Sequence, residues 1–194
     1  MTSSASHPGF LLVLVGPSGV GKSTISRRLA ETIHITYAVS ATTRPLKKED
    51  AAGKTYEHVT TDEFFRRLDA DQFLEYAQVY GDYYGTPKHP TLDLHAAGKD
   101  VLLEIDVQGA LQVRFKYPHA LLIFILPPDE PTLLRRLKDR GRDSAEEISR
   151  RFRAAKREID MARGAKTFDF WVVNDEVERV VHEICEIVQK RRKM

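Results

Sequence analysis

The feature that most constrains the fold is a continuous apolar run at residues 10–15 (FLLVLV), which is followed directly by a glycine-rich stretch. An apolar, β-prone run without polar alternation indicates a strand that is buried on both faces, as in a parallel sheet. After the glycines, residues 22–32 place Ile25, Leu29 and Ala30 on one helical face. The order of strand, glycine loop and helix predicts the first unit of an α/β fold.

The rest of the chain alternates in the same way. Apolar segments predict four further strands at residues 37–40, 101–106, 120–126 and 169–174. Amphipathic segments predict four further helices at residues 60–73, 131–140, 144–162 and 176–190. This alternation predicts a parallel sheet that is flanked by helices.

Two segments interrupt the alternation. Residues 41–90 are rich in Tyr, Thr, Asp and Gly, and they predict an inserted polar lobe. Residues 139–147 (DRGRDSAEE) form a charged connection between two helices, and we expect a mobile lid at about residues 139–150. The predicted organisation is a flexible tail (1–9) and one domain (10–194), with a core formed by residues 10–40 and 98–194.

Composition narrows the class of protein. The 194 residues carry 30 Lys and Arg against 28 Asp and Glu, and this net charge of +2 gives no global case for a nucleic-acid partner. The single cysteine, Cys185, excludes an internal disulfide and fits a reducing compartment. The apolar run near the N-terminus is too short for a signal segment or a membrane span. We therefore expect a cytoplasmic protein with neither a membrane nor a nucleic-acid partner.

The glycine-rich stretch, GPSGVGKST, matches the pattern G-x-x-x-x-G-K-[ST] and lies between a strand and a helix, as that motif requires. Its glycines allow backbone N–H groups to face phosphate oxygens, and the helix N-terminus adds the positive end of its dipole. Lys22 can reach the β- and γ-phosphates, and Ser23 can offer its hydroxyl to Mg²⁺. The stretch predicts an ATP site formed by Gly16, Pro17, Ser18, Gly19, Val20, Gly21, Lys22, Ser23 and Thr24.

A phosphate loop alone does not identify the group that accepts the γ-phosphoryl. A GTPase or a motor transfers it to water, whereas a kinase transfers it to a second substrate. The guanine-reading N-K-x-D motif of switch proteins is not matched, because Asn174 and Asp175 lack the intervening lysine. An inserted polar lobe and an arginine-rich lid favour a small-molecule kinase.

Several segments resemble the guanylate kinase family in order and spacing, over roughly residues 10–190. Besides the phosphate loop they are S-x-T-T-R (40–44), Tyr56, Glu75, GDYYGT (81–86), EIDVQG (104–109), RLKDRGR (136–142) and VVND (172–175). The resemblance implies an adenylate-kinase-like P-loop core, a mixed α+β lobe that binds GMP, and a mobile lid. It also implies in-line phosphoryl transfer from ATP to GMP or dGMP with Mg²⁺, in purine nucleotide metabolism and GMP recycling.

The resemblance also implies how guanine is recognised. Guanine presents an acceptor at O6 and donors at N1 and N2, so its edge suits a carboxylate and hydroxyl groups. Glu75 matches the carboxylate position of the family, and Ser40 and Thr86 match its hydroxyl positions. Adenine would place the acceptor N1 against Glu75, and sites of this kind can discriminate by about 10⁴ to 10⁵.

Arginine and tyrosine residues match the family positions that bind the GMP phosphate, namely Arg44, Tyr56 and Tyr84. The segment that follows Arg44 departs from the family, whose pattern is TTR-x-P-R-x-G-E, because this chain has TTRPLKKED. The second phosphate-binding arginine is replaced by Lys47, or by Lys48 if the loop is shifted by one residue. A lysine keeps the charge and loses the bidentate fork, so we expect a weaker hold on GMP.

Two acidic residues close an apolar strand, where doubly wound folds place ligand-contacting residues. The resemblance places Glu104 and Asp106 in the GMP site, with Asp106 on either guanine or a metal-bound water next to Ser23. Phosphoryl transfer depends on positioning and positive charge. The implied catalytic residues are Lys22, Arg136, Arg140 and Arg151, and Asn174 matches a position near the adenine ring.

Two other functions compete with this hypothesis. A kinase similar to the ribose bisphosphate phosphokinases would share the phosphate loop, but it would have no use for Ser40, Glu75 and Thr86. A non-catalytic, guanylate-kinase-like scaffold domain binds peptides and has a degraded phosphate loop, whereas Lys22 and Ser23 are both present here. The sequence therefore favours a GMP kinase over both alternatives.

Overall fold

The computed structural model describes residues 9–46, 56–139 and 144–193. Within these ranges the strands and helices alternate along most of the chain. In chain order they are β1 (Leu11–Val15), α1 (Lys22–Thr32), β2 (Thr36–Tyr37), β3 (Ser40–Thr42), β4 (Tyr56–His58), α2 (Thr61–Asp69), β5 (Phe73–Val79), β6 (Asp82–Pro87), α3 (Lys88–Ala96), β7 (Val101–Glu104), α4 (Val107–Lys116), β8 (Leu121–Leu126), α5 (Glu130–Lys138), α6 (Ala145–Ala165), β9 (Phe170–Val173) and α7 (Val177–Arg192).

The core is a five-stranded sheet in the order β2-β7-β1-β8-β9, and all of its strand pairs are parallel. The central strand β1 is buried along its whole length, as its continuous apolar run predicts. Helices α1 and α7 pack on one face of the sheet through residues such as Leu29 and Ile184. Helices α4 and α6 pack on the opposite face through residues such as Val113 and Ala162. The predicted parallel sheet with helices on both faces is confirmed.

The inserted lobe contains a second, four-stranded sheet in the order β4-β3-β6-β5. Strands β3 and β4 are parallel, whereas β6 pairs antiparallel with β3 and with β5. Helix α2 packs on this sheet through Phe64, whose ring stacks on Phe73 with 4.5 Å between the centroids. The lobe therefore has a small hydrophobic core of its own. It consists of one sheet layer and one helix layer, which agrees with the expected mixed α+β lobe.

Two predicted elements in this region are wrong. The predicted strand 37–40 is divided between the sheets, because β2 belongs to the core and β3 belongs to the lobe. The predicted helix 60–73 ends at Asp69. Asp71 then adopts a left-handed backbone with φ 52°, which a helix cannot contain, and Phe73 begins strand β5.

Helix α4 covers the outer edge of the lobe sheet at strand β5. The Gln112 side chain accepts a hydrogen bond from Tyr76 N (3.3 Å) and donates one to Tyr76 O (2.6 Å). Lys116 Nζ donates to Leu74 O at 2.8 Å. Backbone groups on an edge strand need partners, and here side chains of a helix provide them in place of another strand. We call this contact between α4 and β5 the lobe–core seam.

The helices beside the predicted lid have well-defined N-terminal caps. Asp129 accepts a hydrogen bond from Thr132 N at 2.6 Å and so caps α5. Helix α6 begins with a capping box, in which the side chains of Ser144 and Glu147 each bond the backbone of the other residue. Arg140 lies outside the described residues. The described part of the chain contains no helix that is both long enough and apolar enough to cross a membrane.

Candidate active site

The phosphate loop is packed tightly against its surroundings. Gly19 and Gly21 have φ values of 86° and 101°, in the left-handed region that favours glycine. A Cβ on Gly19 would lie 2.8 Å from Leu137 of α5, and a Cβ on Gly21 would lie 2.6 Å from Nδ2 of Asn174. At both positions glycine is therefore required for two reasons, because the backbone has a positive φ and because there is no room for a Cβ.

Asn174 and Arg136, which the resemblance assigns to the ATP site, support the phosphate loop through its backbone. The carbonyl oxygen of Val20 accepts hydrogen bonds from Asn174 Nδ2 (2.6 Å) and from Arg136 Nη1 (3.3 Å). Arg136 Nη2 also donates to the backbone oxygen of Asn174 at 2.9 Å. Both residues lie beside the phosphate loop as expected, and their contacts to adenine and to the transferring group stay predictions.

The lysine of the motif folds back over its own loop. Lys22 Nζ donates to the carbonyl oxygens of Gly16 (2.5 Å) and Pro17 (3.3 Å). The phosphate oxygens of a bound nucleotide would compete with these two carbonyl groups for the ammonium group.

Glu104 lies beside the expected metal ligand. Its Oε1 accepts a hydrogen bond from Ser23 Oγ at 2.6 Å, and its Oε2 accepts one from Tyr37 OH at 3.4 Å. Burial and the negative charge of Glu104 raise the pKa of Tyr37, so this hydroxyl remains a donor. The expected GMP role of Glu104 stays a prediction, and its observed contacts place it at the phosphate loop.

Asp106 caps helix α4 at the end of β7. Its Oδ1 accepts from Gly109 N at 2.9 Å, and its Oδ2 accepts from Gln108 Nε2 at 3.2 Å. Burial raises the pKa of Asp106, and the charge of Lys22 acts in the opposite direction. The charge of Asp106 in turn raises the pKa of Glu75. Asp106 therefore lies between the phosphate loop and the expected guanine carboxylate.

The donors around Ser23 suit Mg²⁺, because a hydroxyl and nearby carboxylates are the hard oxygen ligands that this ion takes. Across residues 9–46, 56–139 and 144–193, no group of three or more His, Cys, Asp or Glu is arranged to hold a metal by itself.

The three expected guanine-reading residues converge from three strands of the lobe. Glu75 is buried, and its Oε1 accepts hydrogen bonds from Thr86 N (3.1 Å) and Thr86 Oγ1 (2.6 Å). The hydroxyl of Ser40 lies 3.4 Å from that of Thr86. Burial raises the pKa of Glu75 to about 7, against the opposing effect of the Thr86 hydrogen bonds. The cluster presents one carboxylate and two hydroxyls in a dry environment.

The expected phosphate-binding residues also form a cluster. The Arg44 guanidinium lies 5.6 Å from the centroid of the Tyr56 ring, and that ring meets Tyr84 edge to face at 5.6 Å. Burial raises the pKa of Tyr84, while the positive charge of Arg44 lowers it. Lys47 and Lys48 lie outside the described residues, so the choice between them stays a prediction.

Two further residues near the phosphate loop, Tyr80 and Glu158, were not selected from the sequence. The Tyr80 ring has the guanidinium carbons of Arg151 and Arg150 at 5.7 Å and 5.8 Å from its centroid. Burial raises the pKa of Glu158 to about 7, and the charges of Lys22 and Asp106 act on the same group. The spacing of seven residues from Arg151 to Glu158, two helical turns, could have indicated that they share a face.

Comparison with known proteins identifies the family. A family model described as guanylate kinase matches residues 9–191. The chain belongs to the guanylate kinase family. It is similar to the guanylate kinase of Thermosynechococcus vestitus, with 48% identity over 180 residues that cover 92% of this chain and 93% of the relative. It is also 42% identical over 183 residues to the guanylate kinase of Clostridium acetobutylicum, covering 94% of this chain and 86% of the relative.

Solved structures agree with this membership. The crystal structure of guanylate kinase from Anaplasma phagocytophilum superposes with a TM-score of 0.82 at 31% identity, covering 97% of this chain and 89% of that chain. The family, the α/β P-loop fold class and the class of enzyme that the sequence predicted are therefore confirmed. The domain bounds, the mobile lid and the individual roles of guanylate kinase site residues stay predictions.

Proposed function

We propose that the chain transfers the γ-phosphoryl group of ATP to GMP, forming ADP and GDP in an in-line step with Mg²⁺. The observation that carries this proposal is the convergence of Glu75, Thr86 and Ser40 in one buried cluster. We also propose that dGMP is accepted, and that the enzyme acts in the cytoplasm in purine nucleotide metabolism and GMP recycling. Membership of the guanylate kinase family supports the same conclusion.

The cluster suits guanine because of its pattern of donors and acceptors. An ionised Glu75 accepts hydrogen bonds from N1–H and N2–H, while the hydroxyl of Ser40 donates to O6. The hydroxyl of Thr86 already donates its proton to Glu75 Oε1 and so orients the carboxylate. Guanine donors favour the charged carboxylate, so GMP binding lowers the raised pKa of Glu75. Adenine offers an acceptor at N1, and that acceptor would leave the buried carboxylate without a partner.

Two further groups of residues serve the phosphates in this proposal. Arg44, Tyr56 and Tyr84 bind the monophosphate of GMP, and Lys47 adds a second cation from the neighbouring loop. The phosphate loop binds the triphosphate of ATP through its backbone N–H groups and Lys22. Positive charge from Lys22, Arg136, Arg140 and Arg151 stabilises the charge that develops during transfer.

Ser23 would hold Mg²⁺ directly and Asp106 would hold it through water, and the carboxylate of Glu104 beside Ser23 supports this assignment. When bound, the ion neutralises negative charge on the triphosphate. Asp106 also holds the start of α4 in place through Gly109 N, so one carboxylate serves both the metal site and the wall of the guanine site.

A coupled assay of ADP release across a panel of acceptors tests the proposal. We expect GMP to be the best acceptor, dGMP to be used, and AMP, CMP and ribose bisphosphate to be used far less. A better rate with any of the last three would contradict guanine recognition. Titration with ATP by calorimetry separates an enzyme from a peptide-binding scaffold domain, since a scaffold with a degraded loop would show no ATP binding.

A further inference from the structure

The turn between β5 and β6 contains an unusual residue. Val79 pairs with Asp82, so Tyr80 and Gly81 are the two central residues of a two-residue hairpin loop. Their φ values are 55° and 97°. Positive φ at both positions is characteristic of a type I′ turn, which prefers Asn-Gly because side chains with a bulky Cβ fit it poorly. A tyrosine in this position favours the turn less than asparagine would, and such outliers point to function.

The side chain of Tyr80 reaches from the lobe to the core. Its ring lies within cation–π distance of two arginines of α6, with Arg151 at 5.7 Å and Arg150 at 5.8 Å. Burial raises the pKa of Tyr80 to about 12, and the negative charge of Glu158 acts in the same direction. The positive charge of Arg151 and the side chain of Ser18 in the phosphate loop lower that pKa.

Three parts of the molecule therefore meet at one ring. The lobe contributes Tyr80 at the tip of its hairpin, and α6 contributes Arg151 at cation–π distance. The side chain of Ser18 in the phosphate loop and the charge of Glu158 both act on the pKa of Tyr80, so they lie near its phenol group. An aromatic face is attractive to a guanidinium and makes no strong directional hydrogen bond with it. It can therefore fix the position of an arginine while leaving N–H groups of that arginine for phosphate oxygens.

We propose that Tyr80 is a positioning residue for phosphoryl transfer, because its ring holds the Arg151 guanidinium beside the phosphate loop. This proposal rests on the proposed function, since it requires Arg151 to stabilise the transferring group. The ring is part of the acceptor-binding lobe, so Arg151 receives this support only while the lobe lies against the core. Tyr80 thus couples the placement of the acceptor to the placement of a catalytic charge.

Two substitutions separate the ring from the turn. Tyr80→Asn creates the preferred Asn-Gly turn and removes the ring, so Tm stays equal or rises while kcat falls by about tenfold. Tyr80→Phe keeps the ring, so its kcat should stay within about twofold of the parent value. A parent-like kcat in Tyr80→Asn, or an equal loss in Tyr80→Phe, would overturn the proposal. A structural role would instead make kcat follow Tm.

A double-mutant cycle identifies the partner of the ring. We expect Tyr80→Asn to change kcat by less than about twofold when Arg151→Ala is already present. The matched control is Arg150→Ala, which removes an arginine at nearly the same distance and should leave the loss caused by Tyr80→Asn intact. A full, multiplicative loss in the Arg151→Ala background would overturn the proposal.

The kcat values of these variants test the catalytic role of Arg151 separately from the positioning role of Tyr80. If Arg151→Ala alone leaves kcat unchanged, the catalytic role of Arg151 in the proposed function is wrong, and the proposal for Tyr80 is overturned with it. If Arg151→Ala lowers kcat and Tyr80→Asn does not, only the proposal for Tyr80 is overturned. GMP as best acceptor in the panel assay remains an independent test of the reaction.

Discussion

Gly109 and Glu75 lie so close together that a Cβ on Gly109 would stand 2.1 Å from Glu75 Oε2. Gly109 belongs to α4 of the core, whereas Glu75 belongs to β5 of the lobe. The carboxylate that is expected to recognise guanine is therefore positioned by an element outside its own sheet. The proposed recognition of guanine would therefore depend on the contact between α4 of the core and β5 of the lobe.

Replacing Gly109 with alanine should displace Glu75. We expect the KM for GMP to rise by at least about tenfold, with little change in the KM for ATP, because a buried hydrogen-bonding group is misplaced. Alanine favours a helix over glycine by about 1 kcal/mol, which offsets part of the steric strain in Tm measurements. Gly164→Ala is the matched control, since a Cβ there would meet nothing within 4 Å. Equal KM values for GMP in both variants would contradict the assigned contact.

Replacing Glu75 with glutamine should impair GMP use selectively. The amide nitrogen of glutamine would face the N–H donors of guanine, so we expect kcat/KM for GMP to fall by roughly 10²-fold. Calorimetric binding of ATP should be unchanged, because Glu75 lies in the lobe. A parallel loss of ATP affinity would show that Glu75 supports the whole site instead of reading the base.

The pH dependence of the KM for GMP should follow the ionisation of Glu75. The pKa of Glu75 is raised by burial to about 7, and guanine donors bind the ionised form. The KM for GMP should therefore fall as pH rises from about 6 to about 8 and level off above that range. In Glu75→Gln only the titration of the GMP phosphate should remain, so identical profiles for the two proteins would contradict this assignment.

The free energy of unfolding should fall as pH rises, whereas the affinity for GMP should rise. The folded pKa values of Glu75 and Glu158, both raised to about 7, exceed the model-peptide value for glutamate. Because the folded state then holds protons that the unfolded state has released, the free energy of unfolding should decrease between about pH 4.5 and pH 7. Urea titrations of Glu75→Gln and Glu158→Gln should each show a weaker decrease, and an unchanged slope would exclude that residue as a contributor.

The lobe–core seam should be weakened by Gln112→Ala, which removes both hydrogen bonds to Tyr76. At about 1 kcal/mol for each bond, we expect a loss of about 2 kcal/mol at most, and faster hydrogen exchange at Tyr76 N. Phe115→Ala on the same helix is the control, because Phe115 is 87% exposed. Unchanged exchange at Tyr76 N in Gln112→Ala would show that the seam does not protect this strand.

Most of the core could be predicted from the sequence because β1, β8 and most of β7 and β9 are continuously apolar. The lobe could not be predicted in detail, since nothing in residues 37–40 shows that the chain leaves one sheet and enters another. The end of α2 was missed for a related reason. The apolar pair Phe73 and Leu74 fits a helix or a strand equally well, and the left-handed backbone of Asp71 decides between them.

Prediction of the site was limited by long-range contacts. Resemblance selected Ser40, Glu75 and Thr86, and the structure brings all three together. The support that Asn174 and Arg136 give to Val20 O spans more than a hundred residues of sequence and leaves no local pattern. Tyr80 was not predicted as a site residue because its proposed role depends on a backbone angle and on arginines from a distant helix.

The lobe–core seam would have a different effect on different parts of the lobe if the lobe rotated about α4. A rotation of the lobe about α4 would leave Glu75 almost stationary, because Glu75 touches Gly109 beside the pivot. Tyr80 is five residues farther along the chain, in the turn directly after β5, at the end of an arm of about 17 Å. A small angular change would then move the aromatic ring by several ångströms while the base-reading carboxylate keeps its place. The lobe would then act as a lever, with the proposed recognition of guanine near its pivot and the proposed placement of Arg151 at its far end.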